Sequence, residues 1–363
     1  MTVRPFSRFN ALPRWIRAPG VLLLGTLGGM LALRIGAPLP WLLGPLLAVA
    51  ACALLGMEGG VPDQVRKGGQ AMAGFCVGLF FTPVVAERVL ALGWLMVLGS
   101  LCSILASVAM ALALARAGKC DRSTAYFAML PGGLAEMAGF ARQFDANVAL
   151  VSLSQMLRVV IIVITLPSLL LALGTDAGVD SATAGPEMGY GMAAAGVALA
   201  AAIAMAMQRL RIFNPWLLGG LAAGIAFGLL LPSSLYAPQL LRIAAQIAIG
   251  AALGVRFRRA LMRGVHGRFL PATMVATLAL IGVNCGLAWL FSAYVPLAAG
   301  ALATAPGGIA EMSLTAQAMH LSPPLVTAWQ LVRILMVALL AGPLYSWYRR
   351  VVPAAAPPRP DPR

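Results

Sequence analysis

The chain repeats itself. Pro-Trp-Leu-Leu-Gly stands at Pro40–Gly44 and again at Pro215–Gly219. Pro-Gly-Gly-Leu-Ala-Glu-Met at Pro131–Met137 returns as Pro-Gly-Gly-Ile-Ala-Glu-Met at Pro306–Met312, and Gln-Met-Leu-Arg at Gln155–Arg158 returns as Gln-Leu-Val-Arg at Gln330–Arg333. All three pairs are 175 residues apart. Between the first two, Arg66, Gln70, Gly74 and Gly78 match Arg242, Gln246, Gly250 and Gly254 at a spacing of 176, so one residue was gained and lost again inside a rigid register. Three motifs at one spacing identify a duplication, and whatever one half builds the other must build too.

The halves are apolar. Of 363 residues, 61% are hydrophobic and 10% charged, with a mean hydropathy of +0.89; a soluble domain carries about 25% charge. This excludes a soluble enzyme, a disordered chain and a secreted disulfide scaffold, and leaves an all-α polytopic membrane protein. Apolar runs fall near 20–36, 40–56, 68–83, 89–115 and 147–173, and again near 189–208, 215–231, 239–255, 269–292 and 324–348. The expected organisation is a cytoplasmic N-terminal segment 1–19, membrane repeat 20–173, linker 174–187, membrane repeat 188–350 and a disordered tail 351–363 rich in Pro, Ala and Arg. No cleavable signal peptide is evident, and the first span is expected to act as its own signal. The cysteines Cys52, Cys76, Cys102, Cys120 and Cys285 form no CxxC and read as small core residues.

Between the fourth and fifth run of each half lies a less apolar segment, 121–144 or 297–319, interrupted by Pro-Gly-Gly. Helices do not continue through that tripeptide, and such a break at membrane depth is tolerated only inside protein or beside a wet cavity. Charge indicates whether it crosses. If each broken segment re-enters, one face collects the N-terminus, Arg66/Lys67, Arg116/Lys119/Arg122, Arg209/Arg211, the Arg256–Arg268 cluster and the C-terminal arginines, which make 20 of the 26 basic residues. The other face keeps Arg34, Arg88 and Arg242, with the linker acids Asp176, Asp180 and Glu187. If the segments cross, the five-arginine loop faces away from the basic C-terminus, against the positive-inside rule. The expectation is therefore two inverted repeats of five transmembrane helices, each with a Pro-Gly-Gly broken or re-entrant segment, in a bacterial inner (plasma) membrane with both termini cytoplasmic. Inverted repeats with broken helices are a mark of secondary transporters.

Few residues can carry chemistry. Of eleven acids only Glu136 and Glu311 lie inside the duplicated apolar architecture. Each sits in the first turn of the half-helix that follows the break, where the helix dipole favours a carboxylate or a bound anion. Each either caps its own half-helix or carries a proton. Pro131, Gly132 and Gly133, with Pro306, Gly307 and Gly308, either pack closely or offer backbone N–H groups to a solute. Arg158 and Arg333 lie well inside the last run of each half, with Gln155 and Gln330 one turn earlier on the same face. A buried arginine needs a partner: either Glu136 and Glu311 as bracing pairs, or an anionic solute held in bidentate fashion. The two Pro-Trp-Leu-Leu-Gly elements read as interfacial helix starts. His266 and His320 stand apart from other metal ligands, so no metal is expected. No P-loop, GxSxG, HExxH or dinucleotide motif occurs, and neither an enzyme nor a cofactor is expected.

The paired motifs, each preceded by Pro-Trp-Leu-Leu-Gly, resemble those of the bacterial AbrB-duplication membrane proteins from about residue 20 to 350. The resemblance implies an inner-membrane protein, tied in some members to regulation of gene expression and in older names to ammonia monooxygenation. It does not imply the soluble DNA-binding AbrB hairpin protein, and the basic clusters here are short loops with no nucleic-acid-binding element. More distantly the plan is similar to inverted-repeat anion and cation/proton transporters, which implies a translocation site at Pro131–Glu136 and Pro306–Glu311. Ala135-Glu136 stands where bile-acid-type sodium symporters have Ser-Asn, which favours protons over sodium. The expected function is secondary transport of a small polar or anionic solute by alternating access. A membrane-embedded sensor of gene regulation is the alternative and a monooxygenase the remote one. The expected partners are the lipid bilayer, the solute, protons and a second copy of the chain.

Overall fold

The computed structural model describes residues 6–174, 186–230, 236–257 and 267–351. Most of the linker with Asp176 and Asp180, the arginines between 258 and 263, His266 and the tail lie outside these residues. Every described element is a helix, apart from a single β-bridge joining Glu187 to Tyr236.

The first half runs α1 (Ser7–Ala11), α2 (Arg14–Arg34), α3 (Pro40–Leu54), α4 (Asp63–Gly78), α5 (Pro83–Ala91), α6 (Gly93–Ala117), α7 (Arg122–Met129), α8 (Leu134–Gln143) and α9 (Val148–Ala172). The second runs α10 (Tyr190–Arg209), α11 (Pro215–Leu230), α12 (Gln239–Gly254), α13 (Phe269–Leu290), α14 (Leu297–Thr304), α15 (Ile309–Ala318) and α16 (Pro323–Val351). The duplication thus appears helix by helix: α7 and α14 begin and end 175 residues apart, as do α8 and α15.

Local chemistry places the boundaries. Pro40 and Pro215 open α3 and α11, where a missing N–H costs nothing. Asp121 Oδ2 accepts from Thr124 N at 2.8 Å, and Asn147 Oδ1 accepts from Ala149 N and Leu150 N at 3.1 Å each. These caps start α7 and α9 on donors that would otherwise be orphaned. Helix α4 begins earlier than the apolar run predicts, because Asp63 in its first turn pairs with Arg66 and Lys67 three and four residues on. Helix α5, started by Thr82 and Pro83, is absent from the apolar-run reading, which merged its end with α6.

Among the described residues six helices, α2, α6, α9, α10, α13 and α16, are long and apolar enough to cross a membrane. Helices α3, α11 and α12 are apolar but shorter, and α4 with α5 forms a pair bent by 93°. Large apolar side chains are turned outward, among them Leu23, Leu31, Leu105, Val275, Leu199 and Leu339. Such a surface suits lipid rather than water.

The halves interlock through their third helices. Helix α4 lies on α11 of the other half: a Cβ on Gly74 would strike the Leu217 carbonyl, and one on Gly78 the Leu221 carbonyl. From the other side, Cβ atoms on Gly220 and Gly224 would strike the carbonyls of Ala71 and Phe75. Helix α12 returns the arrangement on α3, with Gly250 against Leu42 O and Gly254 against Leu46 O. Glycines four residues apart bring the backbones into contact, the small-residue packing that replaces hydrophobic drive between helices in lipid. Helices α6–α9 and α13–α16 form the other body. In it α7 and α14 are buried almost throughout, and Tyr126 and Phe127 pack among Phe144, Tyr345 and Tyr348.

A candidate solute site between the two broken helices

Each broken segment consists of two short helices separated by four extended residues. Leu130 (φ −62°, ψ 132°) leaves α7 and Gly133 (φ −69°, ψ 146°) enters α8; Ala305 (φ −56°, ψ 135°) and Gly308 (φ −82°, ψ 151°) do the same between α14 and α15. The glycines are therefore not needed for a left-handed backbone. They are needed for room. A Cβ on Gly132 would meet Met137, and one on Gly133 the Glu136 carboxylate; Gly307 and Gly308 face Met312 and Glu311 in the same way.

The break leaves the last carbonyls of α7 and α14 without helical partners and at the negative end of a dipole. The duplicated Gln-x-x-Arg fills that need. Gln155 Nε2 donates to Phe127 O at 2.8 Å, Ala128 O at 3.3 Å and Leu130 O at 3.0 Å. Arg158 Nη1 donates to Met129 O at 3.2 Å and Leu130 O at 3.0 Å, and its Nη2 to Gln155 Oε1 at 2.5 Å. The second half repeats this: Gln330 Nε2 reaches Leu302, Ala303 and Ala305 carbonyls at 3.0–3.3 Å. Arg333 meets the Thr304 and Ala305 carbonyls, Gln330 Oε1, and Gly307 O at 3.0 Å. Both arginines are 1% exposed.

The Glu–Arg bracing pair expected from charge alone is thus replaced by Arg–carbonyl caps. Glu136 turns to its own helix, where its Oε2 accepts the Gly133 N–H at 3.0 Å. The Gly132 and Gly307 N–H groups, candidates for a solute, donate instead to Leu130 O at 2.9 Å and Ala305 O at 2.8 Å.

A cavity of ≈ 500 Å³ lies where the two breaks meet. The first half brings Gly132, Gly133, Glu136, Gln155 and Arg158 to its wall, and the second brings Gly307, Gly308 and Glu311. Pro131, Pro306, Gln330 and Arg333 stand behind the wall rather than on it.

The opposite wall was not assigned from the sequence. It consists of Arg66, Lys67 and Gln70 on α4, Asn214 and Trp216 at the α10–α11 corner, and Arg256 after α12. Arg66 donates to Asp63 at 2.6 Å and to Gln70 Oε1 at 3.3 Å, and Lys67 lies 2.9 Å from Asp63. The Lys67 ammonium sits 5.7 Å from the Trp216 ring centre, and the Trp216 indole donates to Gln208 Oε1 at 2.9 Å. The only sequence sign of this wall was repetition: Arg66, Gln70 and the Pro-Trp-Leu-Leu-Gly tryptophan all recur in the other half.

Comparison with known proteins places this architecture. The chain is 28% identical over 349 residues to "Uncharacterized protein YhjN" of Bacillus subtilis, covering 88% of this chain and 89% of that one. It is 26% identical over 340 residues to "Putative regulator AbrB" of Escherichia coli, covering 91% and 94%. No solved structure matches it. The family model described as "Transition state regulatory protein AbrB" matches residues 41–349, a span that includes both Pro-Gly-Gly breaks and both Gln-x-x-Arg caps, and the chain therefore belongs to the AbrB family.

Proposed function

We propose that this protein carries a small polar or anionic solute across the bacterial inner membrane by alternating access. In this reading each half spans the membrane five times, the second half is inverted, and the Pro-Gly-Gly segments re-enter from opposite sides to meet near the midplane. The observation that carries the reading is a cavity whose wall is shared by the two Pro-Gly-Gly elements, with Glu136 and Glu311 in its lining. Broken helices meeting at a cavity between repeats are how secondary transporters build solute and ion sites.

The cavity's outer wall supports a direction. Arg66, Lys67, the 208–216 corner and Arg256 all belong to segments that the charge count assigns to the cytoplasm. The arrangement corresponds to an inward-open state. The repeat equivalents of Arg66 and Gln70, namely Arg242 and Gln246, are not on the cavity wall. Arg242 instead pairs with Glu187 at 3.2 Å, and Met188 N donates to Tyr236 O at 2.8 Å beside it. Alternation would exchange the two environments.

Cysteine labelling tests this in a chain whose five native cysteines are replaced. Gln70→Cys and Gln246→Cys are exposed to a membrane-impermeant thiol reagent in right-side-out and inside-out vesicles. Transport predicts labelling of Gln70→Cys from the cytoplasmic side and of Gln246→Cys from the opposite side. The name of the Escherichia coli relative favours a second reading, a membrane-embedded sensor that moves nothing. Labelling of Gln70→Cys with Gln246→Cys inert under all conditions would exclude alternation and leave that reading.

A further inference from the structure

The cavity holds more positive charge than its surroundings answer. Arg66 and Lys67 share Asp63. Glu136 is held at the start of its own helix. Arg158 is buried on the wall with only neutral partners, two backbone carbonyls and the Gln155 amide oxygen, and its Nε has no hydrogen-bond partner at all. Behind it, Arg333 is in the same condition: neutral partners only, and an unpartnered Nε. A buried guanidinium without a counter-charge is costly in a low-dielectric setting, and a second one nearby adds to the cost. Arg256 on the outer wall is set against the Glu311 carboxylate on the inner one, which leaves Arg158 as the wall cation with no carboxylate partner.

Beside the amides of Gln70, Gln208 and Asn214, much of the remaining lining is apolar. Met156 and Val159 on α9, Phe213 and Trp216 at the corner, and Ile249 and Leu253 on α12 face the same space. A volume of ≈ 500 Å³ falls within the usual range for whole small-molecule ligands, about 300–1,000 Å³, and is far larger than a simple inorganic anion needs. A sugar would leave the guanidinium unanswered, and an inorganic ion would leave the apolar surface wet.

From this we infer that the solute is a small organic anion: a carboxylate that meets the Arg158 guanidinium, joined to an aliphatic or aromatic body that lies against Trp216, Phe213 and Leu253. The two repeats then differ in role. Arg158 reaches the solute, whereas Arg333, off the wall and closed by the Gly307 carbonyl, supports the half-helix alone. The inference rests on reading the cavity as a solute site, and it names the class of solute that reading left open.

The test is binding to the full-length protein in detergent, followed by thermal unfolding and calorimetry. The probes are phenylacetate, benzoate and 4-methylpentanoate, with phenylacetamide as the uncharged match and inorganic phosphate as the compact anion. The carboxylates are expected to raise the unfolding temperature, and phenylacetamide and phosphate are not. R158K should weaken carboxylate binding about tenfold or more, while R242Q, on the far side, should bind as the wild type does. If R158K does not fold, the comparison of phenylacetate with phenylacetamide on the wild type decides. Equal binding of the amide, equal binding of phosphate, no binding of any carboxylate, or undiminished binding by a folded R158K overturns the inference. Binding in detergent reports the site alone, so carboxylate binding without labelling of Gln246→Cys from the side opposite to Gln70→Cys would refute transport and leave the anion site standing.

Discussion

Gln155 and Arg158 stand one helical turn apart on α9 and bond to each other, Arg158 Nη2 to Gln155 Oε1 at 2.5 Å, while both clasp the last carbonyls of α7. The amide oxygen orients the guanidinium, and the amide nitrogen takes the Phe127 and Ala128 carbonyls and shares that of Leu130 with it. Gln330 and Arg333 do the same for α14. A helix broken inside the protein has no water to finish its carbonyls, so this pair is what makes the break tolerable.

Removing the guanidinium should therefore unfold the break rather than merely empty a site. Arg333→Met leaves the Thr304, Ala305 and Gly307 carbonyls without that donor, and is expected to cost about 2–4 kcal/mol, the scale of losing charge-assisted hydrogen bonds to buried acceptors. Thermal unfolding in detergent measures it. An unfolding temperature equal to that of the wild type would show that the carbonyls find other donors.

The crossing of α4 on α11 and of α12 on α3 should tolerate no added side chain. Gly74→Val and Gly250→Val each drive carbon into a backbone carbonyl and are expected to destabilise by about 1–3 kcal/mol or more. Gly282→Ala inside α13, with open space at the Cβ position, should instead stabilise by about 0.5–1 kcal/mol. Size-exclusion profiles and unfolding temperatures of the three variants separate the cases.

The two half-helix carboxylates are expected to matter for coupling more than for folding. Glu136→Gln keeps an oxygen for the Gly133 N–H and forfeits only the charge at the helix start, worth about 0.3–1 kcal/mol. With Glu136→Gln and Glu311→Gln combined, uptake into proteoliposomes should become independent of pH between mildly acidic and mildly alkaline buffer. A pH profile unchanged from the wild type would remove both residues from proton coupling.

The Arg242–Glu187 pair, 3.2 Å long with side chains 30% and 52% exposed, should contribute little stability. Arg242→Gln is expected to change unfolding by less than about 1 kcal/mol, as exposed ion pairs do. If the proposed alternation operates, the same change should speed labelling of Gln246→Cys, because the pair joins Arg242, the repeat equivalent of Arg66, to Glu187. An unaltered labelling rate would relieve it of that role.

Much of this fold was legible because a duplication reads itself twice. The breaks at Pro131 and Pro306 follow from residues that cannot continue a helix, and the starts of α3 and α11 follow from proline at the first helical position. Partner choice was less legible. Charge alone directs Arg158 to Glu136, since a carboxylate is visible in a sequence and a stranded carbonyl is not; the carbonyls become acceptors only once α7 has ended. The wall formed by Arg66, Lys67, Asn214 and Trp216 depends on which helix faces which. That is decided by the glycine spacing on α4, α11 and α12, which the sequence displays without saying whose backbone it admits.

The interlocking of third helices also bears on the independence of the halves. Helix α4 lies in a groove of backbone that only another half supplies, and α12 lies in the groove offered in return. A lone half would leave its glycine face bare and its own second helix uncovered. Each half is thus incomplete by itself, and the join between them is a reciprocal exchange in which each receives the helix that the other cannot bury.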